Sequence, residues 1–242
     1  MLTKYSWWGG QNPPPPYLKT AKQLSQQNLI PRKAVGVIYG RGGHQIHLYS
    51  IRDGESVFTP AEFDAMKLRD RTRVKEWAIA ILKRDDWVIL DTETTGLKDP
   101  EICQIAIINH RGEPLLDTLV RPTKPIETEA TRIHGISNHH VQFAPSFSQV
   151  YPDILNAITC REVLIYNATF DIGVLKHCSV NYRLPLLAKT FTDVMLIYAQ
   201  FVGEWNGYYN SYKYPKLQGD HSALGDCLKV LEIINLMAQS QV

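Results

Sequence analysis

Residues 87–97, read WVILDTETTGL, run an apolar stretch directly into two carboxylates, Asp91 and Glu93. Successive strand side chains alternate faces, so positions i and i+2 project from one side, about 7 Å apart along the chain. Two acids on one face of a buried strand end repel and desolvate badly unless a proton or a cation joins them, and hard oxygen ligands suit Mg²⁺ or Mn²⁺. The triplet alone is a weak signal. Asp53-Gly54-Glu55 repeats the spacing around a glycine in a polar stretch, where acids serve turns, and the same capping role is the alternative for Asp91 and Glu93.

Further chemistry-bearing residues follow in order. In LIYNATFDIGVL, residues 164–175, a short apolar strand breaks at Asn167 and Asp171 opens an apolar-periodic segment, a position where an acid also serves as an ordinary cap. In HSALGD, residues 221–226, His221 is followed five residues later by Asp226 at the head of an apolar helix pattern. Five helical residues turn through about 500°, leaving the two side chains roughly 140° apart. His221 must therefore lie before the helix or in its first turn, where an anchored Asp226 can hold a metal while a looser histidine reaches water. The alternative makes His221 an exposed helix-terminal residue.

The order Asp-x-Glu, Asp, His-x4-Asp resembles the DEDDh 3′→5′ exonucleases, the DnaQ-like and RNase T-like group that includes the proofreading subunit of a replicative polymerase. DTETTG at 91–96, NATFD at 167–171, HSALGD at 221–226 and the intermediate ATRIHGIS at 130–137 carry the likeness, which spans residues 87–238. Ser222 stands four before Asp226, so the tyrosine variant of the third motif is absent. The sequence departs from the group at Tyr166, where a histidine commonly precedes the Asn.

The resemblance implies two Mg²⁺ or Mn²⁺ ions. Asp91 would bridge them, Glu93 and Asp226 would hold the ion that activates water, and Asp171 would support the second. His221 would be the general base, a role suited to a side chain titrating near neutrality. Leu97 and Ile133 would wedge against terminal bases, the Thr94 backbone would read the 3′-hydroxyl, and Asn167 would join the substrate contacts; a turn anchor for Leu97 and a core position for Ile133 are the alternatives. His134 reads as a structural histidine. The implied activity is release of nucleoside 5′-monophosphates from 3′ ends of single-stranded nucleic acid, DNA favoured over RNA. A catalytically inactive nucleic-acid-binding or regulatory module of the same fold is the alternative.

The elements that must position these residues read as strands at 87–93, 102–109, 115–121, 162–166 and near 190–192. Helices read at 147–158, 171–180, 193–202 and 221–238. The resemblance implies an RNase H-like α/β fold, a mixed five-stranded sheet flanked by helices, over residues 85–242. Residues 1–84 read as a small α+β extension. It has a Pro-rich tip expected to run extended as polyproline II, a hairpin from 35–39 and 45–50 around Gly40-Arg41-Gly42-Gly43, and a long helix started by Thr59-Pro60-Ala61-Glu62 and reaching about Lys83. The aromatic segment 205–215, with Trp205, Tyr208, Tyr209, Tyr212 and Tyr214, suits either base stacking or packing over half-buried surface.

The 242 residues carry a net charge of +2, which hides an asymmetry. Residues 1–86 hold 14 Lys and Arg against 8 Asp and Glu, and the remainder 12 against 16. A basic region beside an acidic catalytic domain can add phosphate contacts; its alternative is a solvated helix face. There is no apolar run of membrane-spanning length and no leader-like start, so membrane and secreted classes are not expected. Cys103, Cys160, Cys178 and Cys227 lack paired metal spacing and read as reduced thiols of a cytoplasmic protein. Few residues follow the last helix, so the expectation is a free-standing nuclease without a stable polymerase partner; a homodimer is compatible with the sequence.

Overall fold

The computed structural model describes residues 2–8, 10–40, 42–52, 57–187, 189–207 and 209–241. Asp53 and Glu55 of the second acidic triplet, Arg41 of the hairpin turn and Tyr208 lie outside these described residues. Contacts divide the chain into two units: Met1–Thr72 with Val202–Lys213, and Arg73–Phe201 with Tyr214–Gln241.

In the first unit, β1 (Thr3–Lys4), β2 (Leu18–Lys19), β4 (Gly36–Tyr39) and β5 (Gln45–Ser50) form a sheet of order β1-β4-β5-β2, while β3 (Ile30–Pro31) and β6 (Val57–Phe58) pair separately. The expected hairpin is present, with β4 and β5 antiparallel from Gly36 opposite Leu48 to Tyr39 opposite Gln45. Between β2 and β3 lies α1 (Ala21–Ser25), whose Thr20 and Gln23 form a capping box, satisfying two of the amides that a helix start leaves orphaned. Leu24 of α1 is buried with Tyr49 and Val57, and Leu18 with Ile38 and Leu48. Pro13, Pro14 and Pro15 are in no helix or strand, and Pro16 and Tyr17 form a turn. The long helix α2 (Pro60–Leu82) starts as its sequence dictates: Glu62 accepts from the Thr59 amide at 2.9 Å, and Thr59 Oγ1 accepts from the Glu62 amide at 3.3 Å.

The second unit is built on β7 (Trp87–Thr94), β8 (Ile102–Asn109), β9 (Pro114–Leu119), β10 (Glu162–Ile165) and β11 (Phe191–Asp193), ordered β11-β10-β7-β8-β9. β10 is parallel to both β7 and β11, and β8 is antiparallel to β7 and β9. Helices α3 (Thr128–His134), α4 (Asn138–Val141), α5 (Phe147–Ile158), α6 (Ala168–Asn181), α7 (Val194–Val202) and α8 (Ala223–Gln239) complete it. Trp87, Val88, Ile89 and Leu90 are all fully buried, which explains why β7 reads as a continuous apolar run; a strand covered on both faces has no polar side. Val88 and Leu90 join the core with α5 and α6, whereas Trp87 and Ile89 join the core with α7, α8 and Val74, Ala78 and Ile81 of α2.

Like the five-residue α1, two helices of this unit were not expected. α3 and α4 have 7 and 4 residues, too few to display a helical period; they help to bury Cys103, Ile126 and Val141 in a smaller core. α6 begins at Ala168, three residues before the expected start, so Asp171 falls in its first turn, and α8 begins at Ala223, so His221 precedes it. The aromatic segment contains a ribbon, β12 (Trp205–Asn206) with β13 (Ser211–Tyr212). Trp205 meets Phe63 and Tyr212 edge-on at 5.3 and 5.2 Å, and the Tyr212 hydroxyl donates to Asp70 at 2.8 Å. Packing claims those two aromatics, while Tyr209 and Tyr214 stay exposed. Among the described residues no helix is long and apolar enough to cross a membrane.

Candidate active site

Alternation along β7 sends Asp91 and Glu93 to the same face as Trp87 and Ile89, which is the α8 face. There they meet Asp226 from the first turn of α8, and one carboxylate oxygen of each lies within 4.8 Å of the others. Asp91 stands opposite Ala106 and Glu93 opposite Gln104, and the register shifts between Glu93 and Thr94, ending regular pairing at the site.

Gln104 positions the third carboxylate. Its Oε1 accepts from the Ala223 amide at 3.2 Å, joining β8 to the first residue of α8, and its Nε2 donates to Asp117 at 3.2 Å. Ser222 caps α8 by accepting from the Gly225 amide at 3.1 Å. The amide and hydroxyl of Ser222 both donate to Asp220 Oδ1, at 3.0 and 2.8 Å, forming an Asx-type turn. Within that turn His221 takes φ +60° and is exposed, a left-handed conformation costly for a residue with a side chain. It stands just outside the helix, one of the two positions that its angular offset from Asp226 allows.

Asp171 reaches the site differently. Thr92 points away from Asp91 and Glu93 by strand alternation, and its Oγ1 donates to Asp171 Oδ1 at 2.6 Å. Asp171 therefore arrives from α6, tethered to Thr92, and is not a member of the 4.8 Å group.

The charges are out of balance. At about 4.8 Å and an effective dielectric near 20, two carboxylates repel by on the order of 3 kcal/mol. Burial, then Asp171, Glu93 and Asp226, push Asp91 well above the usual carboxylate range. Burial and then Asp226 and Asp171 raise Glu93 to about 8. Asp171 is raised to about 7 by burial, against the lowering effect of its Thr92 hydrogen bond. Burial also raises Asp226, opposed by the neighbouring His221. These are acids that need either protons or a divalent cation.

The donor set fits a cation. Asp226 Oδ1 is buried and has no hydrogen-bond partner among the described residues. A Cβ at Gly219 would lie 1.6 Å from that oxygen, so any side chain there displaces the carboxylate. The Asp226 carboxylate thus keeps an unpartnered oxygen, and with Asp91 and Glu93 it makes a hard-ligand set suited to Mg²⁺-class ions.

Around this cluster, Leu97 and Ile133 are 84% and 57% exposed, so Ile133 does not take the core position that was its alternative. The Thr94 hydroxyl donates to the Gly96 carbonyl at 3.1 Å, and its carbonyl is 3.1 Å from His134 Nε2. His134 Nδ1 accepts from the Ile136 amide at 3.0 Å, so both ring nitrogens are committed and the histidine is structural. Gly96 has φ +151°, and a Cβ there would strike the Glu127 carboxylate at 2.3 Å, which restricts this turn to glycine. Asn167 is exposed, with φ +62°, immediately before α6. Tyr166 is buried and its hydroxyl donates to the Pro215 carbonyl at 2.8 Å.

A family profile described as Exonuclease, RNase T, matches residues 88–234. The chain belongs to this exonuclease family. It is 35% identical over 186 residues to a protein named Uncharacterized exonuclease CP81 of Escherichia phage 186, covering 69% of this chain and 93% of that one. It is 34% identical over 119 residues to DNA polymerase III subunit epsilon of Buchnera aphidicola subsp. Schizaphis graminum, covering 44% of this chain and 48% of the relative. The chain thus spans about half the length of that epsilon subunit. Among solved structures, E. coli Exonuclease I in complex with a dA16 oligonucleotide aligns with a TM-score of 0.50 at 14% identity, over 64% of this chain and 41% of that one. The shared fold is RNase H-like, and the five-stranded mixed sheet of the second unit is its core. This member of the RNase T exonuclease family is a nuclease, a hydrolase of phosphodiesters, with an acidic cluster that can hold a divalent metal.

Proposed function

We propose that the protein removes nucleoside 5′-monophosphates stepwise from the 3′ end of single-stranded nucleic acid, with DNA favoured and RNA accepted, and that it works in the cytoplasm. The observation carrying this reading is the convergence of Asp91, Glu93 and Asp226, one carboxylate oxygen of each lying within 4.8 Å of the others. Asp91, Glu93 and Asp226 would hold Mg²⁺ or Mn²⁺, with Asp171 serving a second ion. Bound there, two such cations would stabilise charge on the attacking and leaving oxygens of an in-line displacement at phosphorus. His221 takes the proton of the attacking water; its exposure outside α8 leaves the ring free to reach solvent. The water oxygen bonds to phosphorus and the bond to the 3′ oxygen of the penultimate nucleotide breaks; that oxygen keeps the electron pair and takes a proton from solvent, leaving a new 3′-hydroxyl. Leu97 and Ile133 offer exposed apolar surface to the terminal bases, Thr94 the backbone that reads the 3′-hydroxyl, and Asn167 a further contact. The four free cysteines accord with a reducing compartment.

End-group and direction tests decide it. A 5′-labelled single strand ending in a 3′-hydroxyl should shorten one nucleotide at a time with Mg²⁺, and a 3′-phosphate should block it while a 5′ block does not. Cleavage of a circular single strand would contradict the exonucleolytic reading, and full activity in excess chelator would contradict the metal.

Relatives named as polymerase III subunits favour a second reading, in which the same chemistry is delivered beside a polymerase. Our first reading is of a nuclease active alone. Turnover by the purified chain at the rate seen with a replicative polymerase present supports it; turnover only with the polymerase supports the second.

A further inference from the structure

The first unit carries surface that the catalytic chemistry does not use. Residues 1–52 contain seven Lys and Arg and no Asp or Glu, although at the chain-wide frequency of 24 acids in 242 about five would fall in such a stretch. The first unit as a whole holds 11 Lys and Arg against 6 Asp and Glu, and the second 15 against 18. The basic balance therefore resides in the unit without the acidic cluster. On this unit lies a cavity of about 790 Å³ lined by Trp7, Trp8, Lys22, His44, His47 and Tyr209, among others.

Its aromatic walls are held open to solvent. Trp7 is 53% and Trp8 37% exposed, and their rings meet edge-on at 5.6 Å, so each leaves a face available. Tyr209, 73% exposed, adds a third ring. Neighbouring indoles at the surface forfeit burial worth having. Their exposure beside a cation on an acid-free stretch is the pattern of a single-strand platform, where bases stack on aromatic faces and phosphates meet Lys and Arg.

We propose that this cavity is a second nucleic-acid site, one that binds unpaired bases of a single strand on Trp7 and Trp8 with Lys22 supplying a phosphate contact. Charge complementarity selects a polyanion, and the flat apolar faces select one with bases. The inference takes from the catalytic reading only the identity of the polymer, and binding without turnover tests it separately.

The test uses the full chain in chelator, which halts digestion, with a fluorescein-labelled oligothymidylate of about 20 nucleotides, longer than typical single-strand site sizes. Anisotropy should show binding that is tighter than to a blunt duplex of equal length. The double variant Trp7→Ala/Trp8→Ala should bind at least about 25-fold more weakly, since each lost stack is worth roughly fivefold or more. Trp7→Phe/Trp8→Phe should retain most of the affinity, which guards against a folding artefact. Lys22→Ala should lower the slope of log affinity against log salt by about one. An oligouridylate of the same length reports whether RNA is bound as well as DNA. Hydrolysis of the p-nitrophenyl ester of thymidine 5′-monophosphate with Mg²⁺ should be unchanged in all these variants; its absence from the unmodified protein counts against the catalytic reading alone. Equal strand affinity in the Ala variant overturns the proposal. So does a polyglutamate peptide that binds as tightly as the strand and loses as much in the variant, or a sedimentation shift from dimer to monomer in the Ala variant with strand affinity intact, which would make the cavity a contact with a second copy.

Discussion

The acidic cluster of the second unit and the aromatic cavity of the first leave opposite electrostatic problems unsolved. Asp91, Glu93 and Asp226 crowd negative charge into a buried strand end, where repulsion and desolvation force the acids upward in pKa. Residues 1–52 hold seven Lys and Arg and no Asp or Glu, and they include indoles left in water. One needs a cation from outside and the other a polyanion. The difference teaches that a site of covalent chemistry is recognised by buried groups held in an unfavourable charge state, whereas a site of polymer binding is recognised by exposed aromatic faces beside an excess of one charge.

The largest effect should come from the buried side of this contrast. Asp91→Ala removes the carboxylate that shares its charge with every other acid of the cluster, and nuclease turnover should fall by several orders of magnitude in a protein that still folds. Asp53→Ala, from the acidic triplet of the first unit, should leave turnover nearly unchanged. Equal losses would erase the distinction between the two units.

His221→Ala should come next, lowering the rate by roughly 10² to 10⁴ as loss of a general base does, with Mg²⁺ affinity close to that of the unmodified protein. If the residue only shapes the start of α8, the variant should instead melt earlier by about 1 kcal/mol with little change in rate.

A smaller effect follows from the raised acids. Glu93 at about 8 and Asp171 at about 7 lie above the roughly 4.3 and 3.9 of the unfolded chain. From about pH 4 to 8 the metal-free folded state therefore binds more protons than the unfolded state, so stability declines as pH rises through that window. The melting temperature in chelator should fall between about pH 5 and pH 8.5, and Mg²⁺ should remove the decline by taking the ionised carboxylates. A melting temperature in chelator that rises over this range would show that the acids are not held as the geometry requires.

The smallest effect belongs to the first unit. Tyr212→Phe deletes the hydroxyl that donates to Asp70 and should cost about 1 kcal/mol of stability, with turnover of a small phosphodiester unchanged. A loss of that turnover would tie the ribbon to catalysis.

Much of the second unit was legible because local pattern and final environment agree. The run from Trp87 to Leu90 is uninterrupted because both of its faces are covered, and the five-residue interval from His221 to Asp226 limited the histidine to a position before the helix or in its first turn. Gln104, Thr92 and Gly219 were not legible as site residues. Gln104 acts on an amide 119 residues away and Thr92 on a carboxylate 79 residues away, and nothing in a lone amide, hydroxyl or glycine announces such partners. The first unit was harder for the same reason: β1 and β2 are two residues each and exist only by pairing with β4 and β5. Trp205 and Tyr212 could have stacked on bases as well as on protein, and only the positions of Phe63 and Asp70 distinguish the two.

The central claim, that Asp91, Glu93 and Asp226 form a divalent-cation site, is tested most directly by calorimetric titration of Mn²⁺ into the full chain near pH 7.5, in two buffers of different ionisation enthalpy. Protons held on the raised carboxylates must leave when a cation binds, so the account predicts saturable binding with net proton release, and loss of both in Asp91→Asn. Binding that persists unchanged in Asp91→Asn, or no binding by the unmodified protein, would contradict it.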